Sequence, residues 1–270
     1  MLARKEIPPR RPRSEWSAEE EELRIELAAA YRVCALLGWE DSINNHLTVM
    51  MPAREGQPPT FLVNSYGYAW EEVTASSLIE IDLQGNILDP GSAADDFDGD
   101  AFRSPRVLPA AFAIHGAIHT ARTDGTAQCV MHTHEKHVAA LSSLRCGLLP
   151  MSQTALLTGD VAYHKFGPPL TENECDDMVA SMGDKYIMLL ENHGVIACKL
   201  PRYRWHLGCI LLKMPAISLP TGGKTVAHAF VKLFYIHKAA EIQILAMQCV
   251  SAPSPPPKPL TPVPLLVFLA

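Results

Sequence analysis

The stretch CVMHTHEKH, residues 129–137, sets His132, His134 and His137 close together in the chain. A neutral imidazole offers a nitrogen lone pair to a cation. With 11 histidines in 270 residues, chance supplies roughly 0.4 His-x-His pairs, so the pair needs a third ligand before it means much. On a strand, side chains two apart share a face, whereas on a helix they diverge by roughly 200°. The apolar QCVM before His132 is β-compatible, so a strand running through residue 134 brings His132 and His134 to one point. A second apolar run, YIMLLENHGVIAC, puts His193 after its own strand, with Gly194 allowing a sharp turn. Three imidazoles with an open fourth position suit catalytic Zn²⁺. His164, in VAYHKFG, is a candidate fourth ligand or a partner to one. The same spacing also fits ordinary polar residues at strand ends.

The elements that must position these groups follow from period and punctuation. Residues 1–16 read as a disordered arm. Ser17 and Glu20 form a capping box that opens a helix closed at Gly38. Its core stripe is Leu23, Leu27, Tyr31 and Cys34. NHLTVMM and TFLVNS read as strands, and ASSLIEIDLQGNIL as a helical turn, a strand and a turn at Gly85-Asn86. AAFAIHGAIHTAR is helical and spaces His115 and His119 by four; they face either the metal cleft or their own satisfied partners. EKHVAALSS is a helix, and a second boxed helix runs from Thr171 and Glu174 to Gly183. A long helix fills KTVAHAFVKLFYIHKAAEIQILAMQCV, and SAPSPPPKPLTPVP begins a Pro-rich tail over 251–270. Strands and helices alternate, which makes the class α/β, with one domain over 17–250.

Composition bounds the function. Hydrophobic residues make up 48% and charged residues 19%, enough for a substantial core. A net charge of −6 without a long basic run argues against nucleic-acid binding. No apolar run is long enough to span a bilayer. The seven scattered cysteines, without a C-x-x-C pair, read as reduced core thiols of a cytoplasmic protein. MLARKEIPPRRPRSEW lacks the apolar stretch of a secretory signal, although its arginines leave an organelle transit peptide open. SLPTGGKT has Ser218 where a phosphate loop needs its first glycine, and a calcium loop from Asp96 would end on Val107, which has no carboxylate. PPPKPLTP suits an aromatic groove or, more simply, a free tail.

Several motifs, in order, resemble one family. FLVNSYGYAWEEVTASSLIEIDLQGNI, FAIHGAIHTARTD, VMHTH, LLPMSQTALLTGDVAYHKFG and MLLENHGVIAC together look like the class II aldolase/adducin family, over roughly residues 20–198 and again over 223–249. LLPMSQTAL and VAYHKFG are similar to its adducin-type branch. The resemblance implies a three-layer α/β/α sandwich on a largely antiparallel central sheet, and a homotetramer with sites between subunits. It also implies Zn²⁺, or another divalent metal, on His132, His134 and His193.

The sequence departs from the family in two places. The aldolases carry Ser-Ser-Glu where this chain has Pro109, Ala110 and Ala111; the serines bind phosphate and the glutamate is the acid/base. The phosphate-pocket asparagine aligns with His46, and only Gly67 matches the rest of that pocket; both are carried as candidate substrate contacts. Glu135, Glu191, Tyr66 and His115 are polar neighbours without an assigned role. Second, 199–222 interrupts the run from GVIAC into the last helix, and we read it as retained intron or gene-model sequence, with the Pro-rich tail a further candidate for the same origin. Two functions follow: a metal-dependent lyase or related carbonyl enzyme on a small hydroxylated substrate, or a non-catalytic adducin-like scaffold that binds the actin cytoskeleton. The lysine-rich extension of adducins is not found in the tail, which has only Lys258.

Overall fold

The computed structural model describes residues 8–95, 107–121, 128–165, 167, 172–198 and 225–249. Eight strands build one sheet: β1 (His46–Met50), β2 (Thr60–Asn64), β3 (Leu78–Asp82), β4 (Ile87–Asp89), β5 (Cys129–Thr133), β6 (Val161–His164), β7 (Ile187–Leu190) and β8 (Gly194–Cys198). Their order is β4-β3-β2-β1-β5-β8-β7-β6. The β6–β7 pair is parallel and the other pairs are antiparallel. The largely antiparallel sheet implied by the resemblance is therefore what forms. Six α-helices accompany it among the described residues: α1 (Ala18–Leu36), α2 (Pro109–Ala121), α3 (Lys136–Ser142), α4 (Gln153–Thr158), α5 (Glu172–Met182) and α6 (Thr225–Gln248).

The two-residue period of the strands sorts side chains into two cores. Leu47, Met131, Leu189 and Val195 point to one face and pack with Leu27 and Tyr31 of α1, Val138 of α3 and Leu233 of α6. Val130, Met188 and Ile196 point to the other, against Ile114 and Ile118 of α2 and Met178 and Met182 of α5. This makes three layers, α/β/α. Register puts His46 opposite His132 and Thr48 opposite Val130. Those residues therefore look toward α2, while Leu47 and Met131 fill the opposite core.

The α1 stripe Leu23, Leu27, Tyr31 and Cys34 is buried as its spacing requires. Ser17 caps the helix through its side chain, which accepts from the Glu20 N–H. The reciprocal half of the expected box is replaced: Glu20 is buried and its carboxylate takes the Arg24 and Arg11 guanidiniums instead. Arg11 also reaches Glu80, Arg24 reaches Asp89, and Arg54 spans Glu20 and Glu80. For residues 8–16 this network corrects the reading of a disordered arm, while residues 1–7 lie outside the described residues. Residues 8–16 lie on the body, held by Arg11 and by Arg10–Asp95 and Arg13–Glu21 pairs. The thiol reading also needs amendment, since Cys34, Cys129 and Cys198 are buried but Cys146 and Cys249 are exposed. Segment 199–222, the tail 251–270 and Thr171 lie outside the described residues. Among the described residues, no helix is long and apolar enough to cross a membrane.

Candidate metal centre

β5 ends at Thr133, one residue short of the expected strand, yet its two histidines still meet. His132 is the last inward-facing residue toward α2, and His134 follows at the strand's exit. Glu135 then caps α3, its carboxylate accepting from the His137 and Val138 N–H groups. That cap ends the strand direction sharply and holds the His134 backbone between two fixed elements. Behind it, on the opposite face, Thr133 Oγ1 lies 2.8 Å from His237 Nε2 of α6, whose ring stacks on Trp39 at 4.0 Å.

His193 arrives from the β7–β8 turn. The positive φ there belongs to Asn192, at 59°, and not to Gly194, which begins β8. The expected role of Gly194 is therefore corrected. A Cβ at 194 would strike the Thr133 carbonyl oxygen and come within 2.9 Å of His134 Cδ2. The glycine is needed because β8 passes close under the β5 exit, which lets His193 reach His134.

The imidazole nitrogens of His132, His134 and His193 converge. His134 Nε2 is 2.7 Å from His132 Nε2 and 2.6 Å from His193 Nε2. The tautomers of two rings follow from their other contacts. His132 Nδ1–H donates to the Val195 carbonyl at 2.9 Å, and His134 Nδ1–H to the Asp41 carboxylate at 3.2 Å. In the neutral rings both Nε2 atoms then carry lone pairs, and these face each other. A cation between them relieves that repulsion, so the donor set fits a divalent metal. Nitrogens around tetrahedral zinc, with bonds of about 2.0–2.1 Å, stand roughly 3.3 Å apart, so the cluster accepts the ion by opening slightly. Burial also favours the neutral, ligating form. It pushes His132 well below its ordinary pKa, and lowers His134 against the pull of Asp41. Burial, then the neighbouring His134, brings His193 down to about 4.

The other sequence candidates separate clearly. His164 sits on β6, at the far edge of the sheet, with Nδ1 3.0 Å from Ser181 Oγ; it is not part of the cluster. His137 turns away to Glu135 Oε1 at 2.7 Å. His46 borders the triad, its ring centroid 5.1 Å from that of His132. His115 and His119 are buried and look to β1, not into the cluster. His115 Nε2 is 2.8 Å from His46 Nδ1, and Thr48 Oγ1 lies 2.6 Å from His115 Nδ1 and 2.8 Å from His119 Nε2. Glu191 continues the backbone pairing, its N–H donating to the His164 carbonyl. Tyr66 lines a small hollow with His46, Asn45 and Asn64, and Gly67 lies just beyond it in the chain with φ 105°. The sequence reading passed over Asp41 and Asn45; the polar run EDSINNH ahead of β1 was the only signal.

Residues 25–199 match the family described as Class II Aldolase and Adducin N-terminal domain. The chain belongs to this family. Among its relatives, alpha-adducin of Mus musculus is 34% identical across 86% of this chain, which spans 26% of the adducin's length. An aldolase II superfamily protein from Pseudomonas syringae superposes with a TM-score of 0.71 at 34% identity, covering 91% of this chain and 83% of that one. The L-fuculose 1-phosphate aldolase from Glaciozyma antarctica gives a TM-score of 0.65 at 25% identity, with 89% and 80% covered. Both aldolase-type and adducin-type members of the family are thus similar to this chain.

Proposed function

We propose that this family member is a divalent-metal protein acting on a small hydroxylated carbonyl compound, with His132, His134 and His193 as the ligands. The observation that carries the reading is the meeting of three imidazole nitrogens around His134 Nε2. Neutral nitrogen donors favour Zn²⁺ among the abundant divalent ions. When bound, such an ion supplies Lewis-acid polarisation of a carbonyl. The chain's own residues do the rest. Val195 and Asp41 fix the rings of His132 and His134 with Nε2 presented. His46 and Asn45 line the adjoining hollow. Ala111 cannot move a proton, and neither Pro109 nor Ala110 has a side-chain donor for phosphate. Sugar-phosphate cleavage at an aldolase-like rate is therefore not expected.

The test compares His193→Ala with His137→Ala by zinc content of the purified protein. The first should lose most of its zinc and the second little, because His137 points to Glu135. Equal loss would reject the ligand set. Turnover of fuculose 1-phosphate that vanishes on chelation would reject the claim about residues 109–111.

A second reading has its own support. The match to alpha-adducin and the alanine at 111 favour an actin-linked scaffold. Co-sedimentation with actin filaments, undiminished in His193→Ala, would favour it over chemistry. Both readings place the protein in the cytoplasm as a homotetramer. Val231, Ile242 and Leu245, exposed on α6, support assembly by offering apolar surface to a second copy. A stable monomer in light scattering would count against it. The domain over 17–250 is proposed with 199–222 foreign to it, since removing that segment joins GVIAC to GKTVAHAF in the order of the family's motifs. Recovery of native peptides from within 199–222 would defeat that part.

A further inference from the structure

We propose that His237 of α6 is a positioning residue for the metal centre. Through the Thr133 hydroxyl it sets the spacing of His132 and His134 from the opposite face of the sheet, so the grip on the ion depends on how α6 is seated. The inference rests on the reading of the triad as a metal centre and adds what controls that site.

Thr133 stands between two ligands in the chain and points away from both. Strand alternation turns His132 toward α2 and Thr133 through the sheet to α6. There Thr133 Oγ1 lies 2.8 Å from His237 Nε2. The other ring nitrogen, Nδ1, is buried, makes no hydrogen bond among the described residues and lies 3.7 Å from Glu135 Oε2. In the neutral ring that carboxylate favours the proton on Nδ1, which leaves Nε2 to accept from the Thr133 O–H. Hydroxyl, imidazole and carboxylate thus stand in the order of a nucleophilic triad. Thr133 is fully buried, however, so its hydroxyl meets no substrate. The arrangement holds position instead of attacking a bond.

Each member is held from elsewhere. The His237 ring stacks on Trp39, with centroids 4.0 Å apart and planes 15° apart, and Trp39 packs in turn on Phe230 and Phe234 of the same helix. The Glu135 carboxylate accepts from the His137 and Val138 N–H groups and lies 2.7 Å from His137 Nδ1. The Thr133 backbone pairs with Val195 of β8, whose carbonyl takes the His132 ring. Thus β8 grips the backbone at the β5 exit while α6 grips its side chain. His132 and His134 flank the clamped residue, so a shift of Thr133 moves both. Supports outside the ligands fix ligand geometry in this way, and with it the affinity for the ion.

The experiment measures zinc affinity of the full chain by competition with a chromophoric chelator. It also records the visible absorption of Co²⁺ loaded in place of zinc, whose bands follow ligand geometry. Thr133→Val keeps the branched shape in the strand and removes the hydroxyl. It should weaken zinc by a factor of about 10–100 and alter the Co²⁺ spectrum. Thr133→Ser keeps the hydroxyl and should retain most of the affinity. His237→Phe keeps a flat ring against Trp39 but accepts no hydrogen bond, so it should match Thr133→Val. The double variant should lose no more than either alone, because both break one link. Unchanged zinc affinity or an unaltered Co²⁺ spectrum in Thr133→Val would overturn the proposal. So would a Thr133→Ser protein as weak as Thr133→Val, or additive losses in the double variant. If Thr133→Val or His237→Phe does not fold, the other, set against Thr133→Ser, decides. A wild type that takes up neither metal overturns the metal reading and this inference with it. A wild type that binds zinc no better than the variants overturns this inference alone.

Discussion

Asp41 determines which nitrogen of His134 is presented. Its carboxylate holds Nδ1–H, and its backbone N–H holds the Asn45 amide, so one loop residue orients both the His134 ring and the neighbouring amide. Removing such a partner typically costs a factor of about 10–100 in metal affinity. Asp41→Ala should therefore weaken zinc binding by that factor in competition with a chromophoric chelator. An unchanged affinity would show that the ring is fixed by packing alone. The triad itself was legible because strand period and an N-H-G turn are local signals. Asp41 and Asn45 were not, because the loop from Asp41 to Asn45 follows no period and includes Ser42 at φ 52°. His164 was misread for a related reason. It lies at a strand end, as His132 and His134 do, but sheet order puts β8 and β7 between β6 and β5. Sequence patterns locate strand ends without giving strand order.

Among the elements, β8 and α1 make the sharpest claims. Gly194 lies where β8 crosses under the β5 exit, and a side chain there meets the Thr133 carbonyl and His134. Gly194→Ala should destabilise the fold by about 1–3 kcal/mol, the usual cost of overpacking, and should also reduce zinc content. Urea denaturation measures the first; an unchanged midpoint would mean that the backbones separate freely. Ser17→Ala removes the acceptor for the Glu20 N–H and should cost about 1 kcal/mol in the same assay. The helices with clear stripes and caps, and the β1, β2, β3, β5 and β7 strands, could be read from the sequence. β6 and α4 could not. Each is short, and β6 is defined by parallel pairing with β7 rather than by its own pattern.

At the scale of the whole molecule, the network of Arg11, Arg24 and Arg54 with Glu20, Glu80 and Asp89 ties the N-terminal segment, α1 and the β3–β4 edge together. Arg24 is fully buried, and its loss would leave Glu20 and Asp89 buried with less compensation. Arg24→Ala should cost about 3–5 kcal/mol, read as a lowered denaturation midpoint. Burial alone would raise the Glu80 pKa, but hydrogen bonds from Arg54 and Thr60 and the charges of Arg54 and Arg11 bring it below the ordinary 4.5. A depressed carboxyl contributes stability above its unfolded pKa and loses it as pH falls through the folded value. Buried neutral histidines such as His46 and His115 take up protons on unfolding, so the thermal midpoint should begin to fall below about pH 6.5. The loss of the Glu80 contribution should add to the fall below about 4.5, and that lower part of the slope should be shallower in Arg54→Ala. Unaltered slopes would remove Glu80 from the account. The pairing of β5 with β1 on one side and β8 on the other has a kinetic consequence. Strands far apart in sequence must close long loops before they gain contacts, and such pairings form slowly. His132, His134 and His193 lie on both sides of one of these closures, so they meet late on the folding path. An ion gripping them would act after the rate-limiting barrier: zinc should slow unfolding in stopped-flow measurements and leave the refolding rate unchanged.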